Sequence, residues 1–221
     1  MTSFEKTQVD TEINLLRSLS QERHPNIVQY FDSFSNASGS KTFIVMEYCQ
    51  HGDLASYIES HRRNETWAQE SFIWKIMAQV TSALYECHHH DDLDQNIRTT
   101  ILHRDVKPAN ILLDKNMNAK LCDFGLAIKI NTPNASIQAP QSNDKNQDSQ
   151  SMRKSAQDDG MCGTPFYMAP ERVNRCAYDG RSDIWSLGCI IYEMAALTHP
   201  FMSKDETELA NRINSGFLQR L

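Results

Sequence analysis

His103-Arg104-Asp105-Val106-Lys107-Pro108-Ala109-Asn110 puts a carboxylate, an ammonium and a carboxamide into one short run, and Asp123-Phe124-Gly125 adds a second carboxylate thirteen residues after Asn110. These side chains suit the transfer of a phosphoryl group to an alcohol. Asp105 can orient an acceptor hydroxyl and take its proton. Lys107, two positions on, can reach the moving phosphate and neutralise its growing charge. Asn110 and Asp123 offer oxygen ligands to magnesium, a hard cation that also binds nucleotide phosphates. A bare H-R-D triplet would carry little weight. Joined to K-P-A-N at this offset and to D-F-G downstream, it points to phosphoryl-transfer chemistry.

The rest of the chain bounds what that chemistry can act on. At 221 residues it is long enough for one or two domains with a real core. A net charge of −6 argues against a general nucleic-acid binder or a binder of anionic membranes. No apolar run approaches the roughly 18 residues of a spanning helix, and Met1-Thr-Ser-Phe-Glu-Lys6 lacks the apolar core of a signal peptide. Six cysteines (Cys49, Cys87, Cys122, Cys162, Cys176 and Cys189) are scattered without a C-x-x-C pair, the usage of a reducing compartment. The N-x-S/T triplets at Asn36, Asn64 and Asn134 then have no use, and the expected location is the cytosol or the nucleus.

Periodicity supplies the elements that must position these groups. Val9, Ile13, Leu16 and Leu19 predict an amphipathic helix over 4–20, with Glu12 beside the stripe. His24-Pro25-Asn26 reads as a turn. Strands follow over 27–34 and 42–47, joined by a polar loop. Gly52-Asp53 opens a helix near 53–62, and Ile73, Ile76, Met77, Val80 and Leu84 mark another over 69–90. Short β runs at 101–102, 111–113 and 119–122 surround the opening motif. The stretch 183–197 is apolar almost all round and predicts a buried helix; a last helix over 205–215 stops at Gly216. His88-His89-His90-Asp91-Asp92 reads as a solvated helix end, because adjacent side chains splay rather than converge on one ion. Residues 131–160, filled with Asn, Gln, Ser and Thr and lacking apolar period, read as a disordered insert.

The motifs resemble those of eukaryotic Ser/Thr protein kinases, and the chain is most similar to the NimA-related (NEK) kinases. The resemblance extends beyond the opening run to Thr11-Glu-Ile-Asn-Leu-Leu-Arg17, His24-Pro-Asn-Ile-Val28, Ile44-Val-Met-Glu-Tyr-Cys49, Gly52-Asp-Leu-Ala-Ser56, Glu86-Cys-His88, Gly163-Thr-Pro-Phe-Tyr-Met-Ala-Pro-Glu171 and Ser182-Asp-Ile-Trp-Ser-Leu-Gly188. It implies an α+β, protein-kinase-like bilobal fold. Residues 1–48 would form a partial small lobe with its helix, two strands and the start of the hinge. Residues 49–221 would form a partial, mostly helical large lobe with the catalytic loop and a long activation segment.

The same resemblance implies roles. Asp105, Lys107 and Asn110 would be catalytic, and Asn110 and Asp123 would hold Mg2+. ATP would be bound by the Glu47–Cys49 backbone and Leu112, with Glu12 the carboxylate that pairs with a nucleotide-positioning lysine. Met46 would be the gatekeeper beside the nucleotide, and Leu16, Phe31, His103 and Phe124 would stack as the spine of the active state. Lys107 and Thr164 favour Ser/Thr over Tyr specificity. Glu171 resembles the buried glutamate that closes the activation segment, and Asp183 the aspartate that holds the catalytic loop's backbone. Arg104 would pair with a phosphate on that segment, Ser155 being the nearest upstream hydroxyl, with Ser149 and Ser151 further off and Asp158-Asp159 a candidate acidic substitute.

Protein substrates with Ser/Thr acceptors follow from the resemblance, in the cytoplasm, nucleus, centrosome or basal body, in a cell-cycle or ciliary role. Nucleic-acid and membrane partners do not follow, and dimerisation would need a region outside this sequence. The sequence also departs from the family. It has no glycine-rich loop or lysine strand before Glu12 and no large-lobe helices after 215, so truncation at both ends is the expectation. Glu171 would then lack its arginine, leaving a buried carboxylate unpaired at a cost of about 3–5 kcal/mol. The alternative function is a non-catalytic kinase-like fragment that acts by binding.

Overall fold

A computed structural model of the chain describes residues 3–92, 97–131, 164–216 and 218. Helix α1 (Ser3–Leu19) packs Ile13, Leu15, Leu16 and Leu19 into the core, and Ser20 closes its end by donating to the Leu16 carbonyl at 3.0 Å. Strands β1 (Tyr30–Ser35) and β2 (Thr42–Met46) then form an antiparallel ribbon with Phe34 opposite Phe43. The strand expected from residue 27 starts later, because its first residues pair elsewhere. Val28 donates to the Leu121 carbonyl at 2.9 Å and Leu121 to that of Asn26 at 2.8 Å.

The ribbon corrects one expectation. Phe31 is 58% exposed, because the strand register shifts between Tyr30 and Asp32, and it does not join Leu16, His103 and Phe124 in the interior. Met46, at 41%, is exposed as well.

The larger part is mostly helical. Asp53 caps helix α2 (Leu54–Arg63) by accepting the Ser56 amide at 2.7 Å. Helix α3 (Glu70–His88) buries Ile76, Val80, Ala83, Leu84 and Cys87. Strands β3 (His90–Asp92), β4 (Ile97–Leu102) and β7 (Ile128–Asn131) make an antiparallel sheet in the order β3-β4-β7, while β5 (Ile111–Leu113) pairs with β6 (Ala119–Leu121). A short helix α4 (Pro170–Val173) precedes α5 (Arg181–Ala196), which packs against α3 and buries Leu187, Ile190 and Met194, and α6 (Glu206–Ser215) ends at Gly216 with φ 62°. That positive φ is where glycine is needed. Helix α5 is buried along one face rather than all round, since Ile184 is 45% exposed. The α+β architecture expected from the sequence is the one observed.

The run 88–92 is not a solvated helix end. The helix stops at His88, and His90 and Asp92 alternate into the interior from β3, as a period of two dictates. His90 meets Ser18 of α1 at 2.7 Å and Glu86 at 3.3 Å, and Asp92 pairs with Lys129 of β7. Among the described residues no cluster of His, Cys, Asp and Glu could hold a metal ion by itself.

Candidate active site

The loop between β4 and β5 carries the opening motif, and its shape is imposed from below by helix α5. The Asp183 carboxylate, 2% exposed, accepts the amides of His103 at 3.0 Å and Arg104 at 2.9 Å. His88, at the end of α3, holds the same carboxylate at 2.9 Å. Burial pushes the Asp183 carboxyl upward, but the His88 bond, the nearby His103 and the Arg104 amide outweigh it and keep the acid below its usual range. Arg104 sits at a left-handed φ of 67°, so the loop is strained where these two amides are pinned.

Asp105 gathers the other groups. Its Oδ2 meets Lys107 Nζ at 2.6 Å and Asn110 Nδ2 at 3.1 Å, and its Oδ1 accepts the Thr164 amide and hydroxyl, each at 3.2 Å. Four bonds fill the acceptor capacity of one carboxylate. The Asn110 amide nitrogen also donates to the Asp105 carbonyl at 2.9 Å, so both of these bonds use the nitrogen rather than Oδ1.

Asp123 follows β6. The Cys122 amide donates to the Asn110 carbonyl at 3.0 Å, so the segments that carry Asn110 and Asp123 are joined directly. His103 Nε2 meets the Cys122 carbonyl at 3.0 Å and its ring lies tilted against Phe124, with centroids 4.9 Å apart, fixing the segment from the inside. Asp123 adopts φ 62°. Glu12 of α1 faces it. Burial, then the Asp123 charge, raises the Glu12 carboxyl above its ordinary value, and no cation pairs with Glu12 among the described residues.

The predicted nucleotide floor is brought together. Leu112 packs with Val28, Cys49 and Cys122, so the hinge and the residue before Asp123 share one small apolar cluster. The Glu47 amide donates to the Gln29 carbonyl at 2.8 Å, and its carboxylate pairs with Lys120 at 2.8 Å. No protein group bonds the Glu47 carbonyl or the Cys49 amide among the described residues.

Glu171 differs from expectation. It is half-buried rather than buried, and its carboxylate accepts the Ser182 hydroxyl at 2.5 Å, so the penalty for an orphaned buried charge does not arise. Ser149, Ser151, Ser155 and Asp158-Asp159 lie outside the described residues. Arg104 donates to the Leu126 carbonyl at 2.6 Å and the Tyr178 hydroxyl at 3.0 Å.

The model of the protein kinase domain matches residues 1–220. The chain belongs to the protein kinase family. Human serine/threonine-protein kinase Nek2 is 42% identical over 221 residues, which is 100% of this chain and 43% of that protein. The probable serine/threonine-protein kinase nek2 of Dictyostelium discoideum is 38% identical over 98% of this chain and 44% of its own. The G2-specific protein kinase nimA of Emericella nidulans is 34% identical, again over 98% of this chain but 30% of its own. The chain therefore spans less than half the length of these curated relatives.

Within this kinase domain, sequence reasoning missed four residues around the site. His88 continues the i, i+4 series of Ile76, Val80 and Leu84, a helical signal that would have placed it on the core face. Arg172 donates to the Arg104 carbonyl and lies over the Tyr178 ring at 5.3 Å. Tyr167 donates to the buried Glu193 at 2.6 Å. For Arg172, Tyr167 and Glu193 no local pattern exists, because the Arg172–Arg104 and Tyr167–Glu193 bonds span 68 and 26 positions.

Proposed function

We propose that this chain carries the catalytic centre of a serine/threonine protein kinase that moves the γ-phosphate of Mg-ATP to Ser or Thr hydroxyls of proteins. The observation that carries the reading is the convergence on Asp105 of Lys107, Asn110 and Thr164. A base, a phosphate-binding cation and a metal ligand share one carboxylate.

The donor set fits magnesium. Asn110 and Asp123 offer a carboxamide and a carboxylate oxygen, hard ligands of the kind that leave room for waters and nucleotide phosphates. When bound, Mg-ATP supplies the phosphoryl group and neutralises its charge. The chain's own residues do the rest. An acceptor hydroxyl reaching Asp105 Oδ1 takes the place of the Thr164 amide bond, leaves the Thr164 hydroxyl to hold the carboxylate, and is oriented there for proton removal. Lys107, held against Oδ2, stands ready to stabilise charge on the transferred group. Leu112, with Val28, Cys49 and Cys122, would floor the base of the nucleotide, and the Glu47 carbonyl and the Cys49 amide would bond its edge. Buried Asp183 keeps the loop in place throughout.

The relative named as a G2-specific kinase supports a cell-cycle role. No described helix is long and apolar enough to cross a membrane. A second reading, a kinase-like module that binds without catalysis, is favoured by one observation: Glu12 faces Asp123 with no cation paired to it among the described residues.

Transfer of radiolabelled phosphate from Mg-ATP to dephosphorylated casein decides between them. The kinase reading expects transfer that needs magnesium and disappears in Asp105→Asn while affinity for a fluorescent ATP analogue is retained. Equal incorporation by the wild type and Asp105→Asn would sink it.

A further inference from the structure

The turn that begins at Thr164 is braced on its far side by a group that the phosphoryl-transfer chemistry does not use. His199, in the segment after α5, lays its ring parallel to Phe166, with centroids 4.8 Å apart and planes 10° apart, and meets Tyr167 edge-on at 5.4 Å. Its Nδ1 is buried without a hydrogen-bond partner; the nearest acid, Glu193, is 3.6 Å away. Glu193 is already engaged by the Tyr167 hydroxyl at 2.6 Å and by Arg62 of α2 at 3.2 Å, and Arg62 itself is anchored on Glu59 at 2.7 Å.

A buried polar nitrogen left unbonded is unfavourable, so the ring's position is set by its aromatic contacts rather than by a hydrogen bond. Parallel and edge-on aromatic pairs of this kind attract one another. Burial lowers the imidazole's proton affinity, with Glu193 pulling it up and Arg62 pushing it down, so the ring is neutral at physiological pH. The segment 164–167 thus has two fastenings. Thr164 is tied to Asp105 at one end, and Phe166 and Tyr167 are gripped by His199, Glu193 and Ser186 at the other, where the Ser186 hydroxyl donates to the Tyr167 carbonyl at 2.7 Å. Asp105, Thr164 and Tyr167 line one small cavity together, so this turn forms a wall beside the carboxylate to which an acceptor hydroxyl would be presented.

We propose that His199 is a positioning residue for the protein substrate: by clamping Phe166 and Tyr167 it fixes the lip of the 164–167 turn against which the acceptor segment docks. This rests on the kinase reading above. The clamp acts on substrate docking and leaves the nucleotide side untouched, because Leu112, Cys49 and Asp123 belong to other segments.

The test uses the full chain as wild type, His199→Ala and His199→Phe, the last keeping a stacked ring without the nitrogens. Hydrogen-exchange mass spectrometry compares residues 164–173 with residues 70–88 as an internal control, and steady-state transfer to dephosphorylated casein is measured with both substrates varied. In His199→Ala, exchange over 164–173 is expected to quicken while 70–88 is unchanged. The KM for casein should rise on the order of five-fold, with kcat and the KM for ATP within about two-fold of wild type. His199→Phe should restore both readouts. Unchanged exchange over 164–173 overturns the proposal, as does faster exchange with an unaltered casein KM. A parallel loss of kcat and ATP affinity assigns His199 a merely structural part and overturns it too. Absence of Asp105-dependent transfer in the wild type would refute the kinase reading and the docking role with it, while the exchange comparison would still decide whether the clamp exists.

Discussion

Thr164 directs its amide and its hydroxyl to the same oxygen of Asp105, each at 3.2 Å. A segment far along the chain thereby fixes the carboxylate that the catalytic reading makes the base, and Lys107 and Asn110 fix the other oxygen.

Thr164→Val keeps the shape and the amide bond but removes the hydroxyl bond. Under the proposed function kcat should fall on the order of ten-fold, with the KM for ATP unchanged, because a base that loses its orientation slows transfer without disturbing nucleotide binding. Thr164→Ser should recover most of the rate. Steady-state kinetics with varied ATP would show it, and a rise in the ATP KM instead would contradict it.

Asp183→Ala should be among the most damaging substitutions in the molecule. It strips the buried His103 amide, the partly buried Arg104 amide and His88 of their acceptor, at roughly 1–3 kcal/mol for each buried group left unsatisfied. The acid also governs a pH window. Its folded value lies below its unfolded one, so its stabilisation is present above the ordinary Asp value of about 3.9 and is lost as pH falls through the depressed folded value. Urea melts from neutral pH down to strong acid should show the wild type losing stability more steeply at the acid end than Asp183→Asn. Parallel curves for the two proteins would refute the assignment.

Gly180 abuts His88. A Cβ built there would stand 2.7 Å from the imidazole Cε1 and Nδ1, closer than such atoms approach. Gly180→Ala should therefore push the ring off Asp183 and destabilise the fold by about 1–3 kcal/mol. The backbone tolerates alanine, since φ is −56°. Combining it with His88→Ala, which vacates the space, should cost clearly less than the two single losses added together. Additivity in a double-mutant cycle would show that the two residues do not press on each other.

Glu12 offers the opposite sign. Its carboxyl is raised by burial and by Asp123, so the fold favours the neutral form. The wild type is then fully stable below the ordinary Glu value of about 4.3 and loses stability as pH climbs through the raised folded value. Glu12→Gln should raise the Tm of this chain at neutral pH, and the gain should vanish in acid. Thermal melts at neutral and acid pH check this; a lower Tm at neutral pH would mean that a cation does reach Glu12.

Much of this molecule was legible before any coordinates. The apolar stripe Ile13, Leu16 and Leu19 located α1, the cap at Asp53 opened α2, and Gly216 closed α6, because each is decided by residues within a turn or two of one another. The chemistry was legible for the same reason: Asp105, Lys107 and Asn110 lie so close in the chain that their identities suffice to announce what they can do. The tertiary structure alone decided the rest. His88 reaches Asp183 across 95 positions and Thr164 reaches Asp105 across 59, and burial rather than local pattern selects those partners. It also turned His90 and Asp92 inward and left Phe31 outward, because the side a strand residue faces depends on which strand it pairs with and in what register. The sequence by itself determined which groups could transfer a phosphate. Packing determined how they are held, since the energy that holds them comes from distant segments buried together.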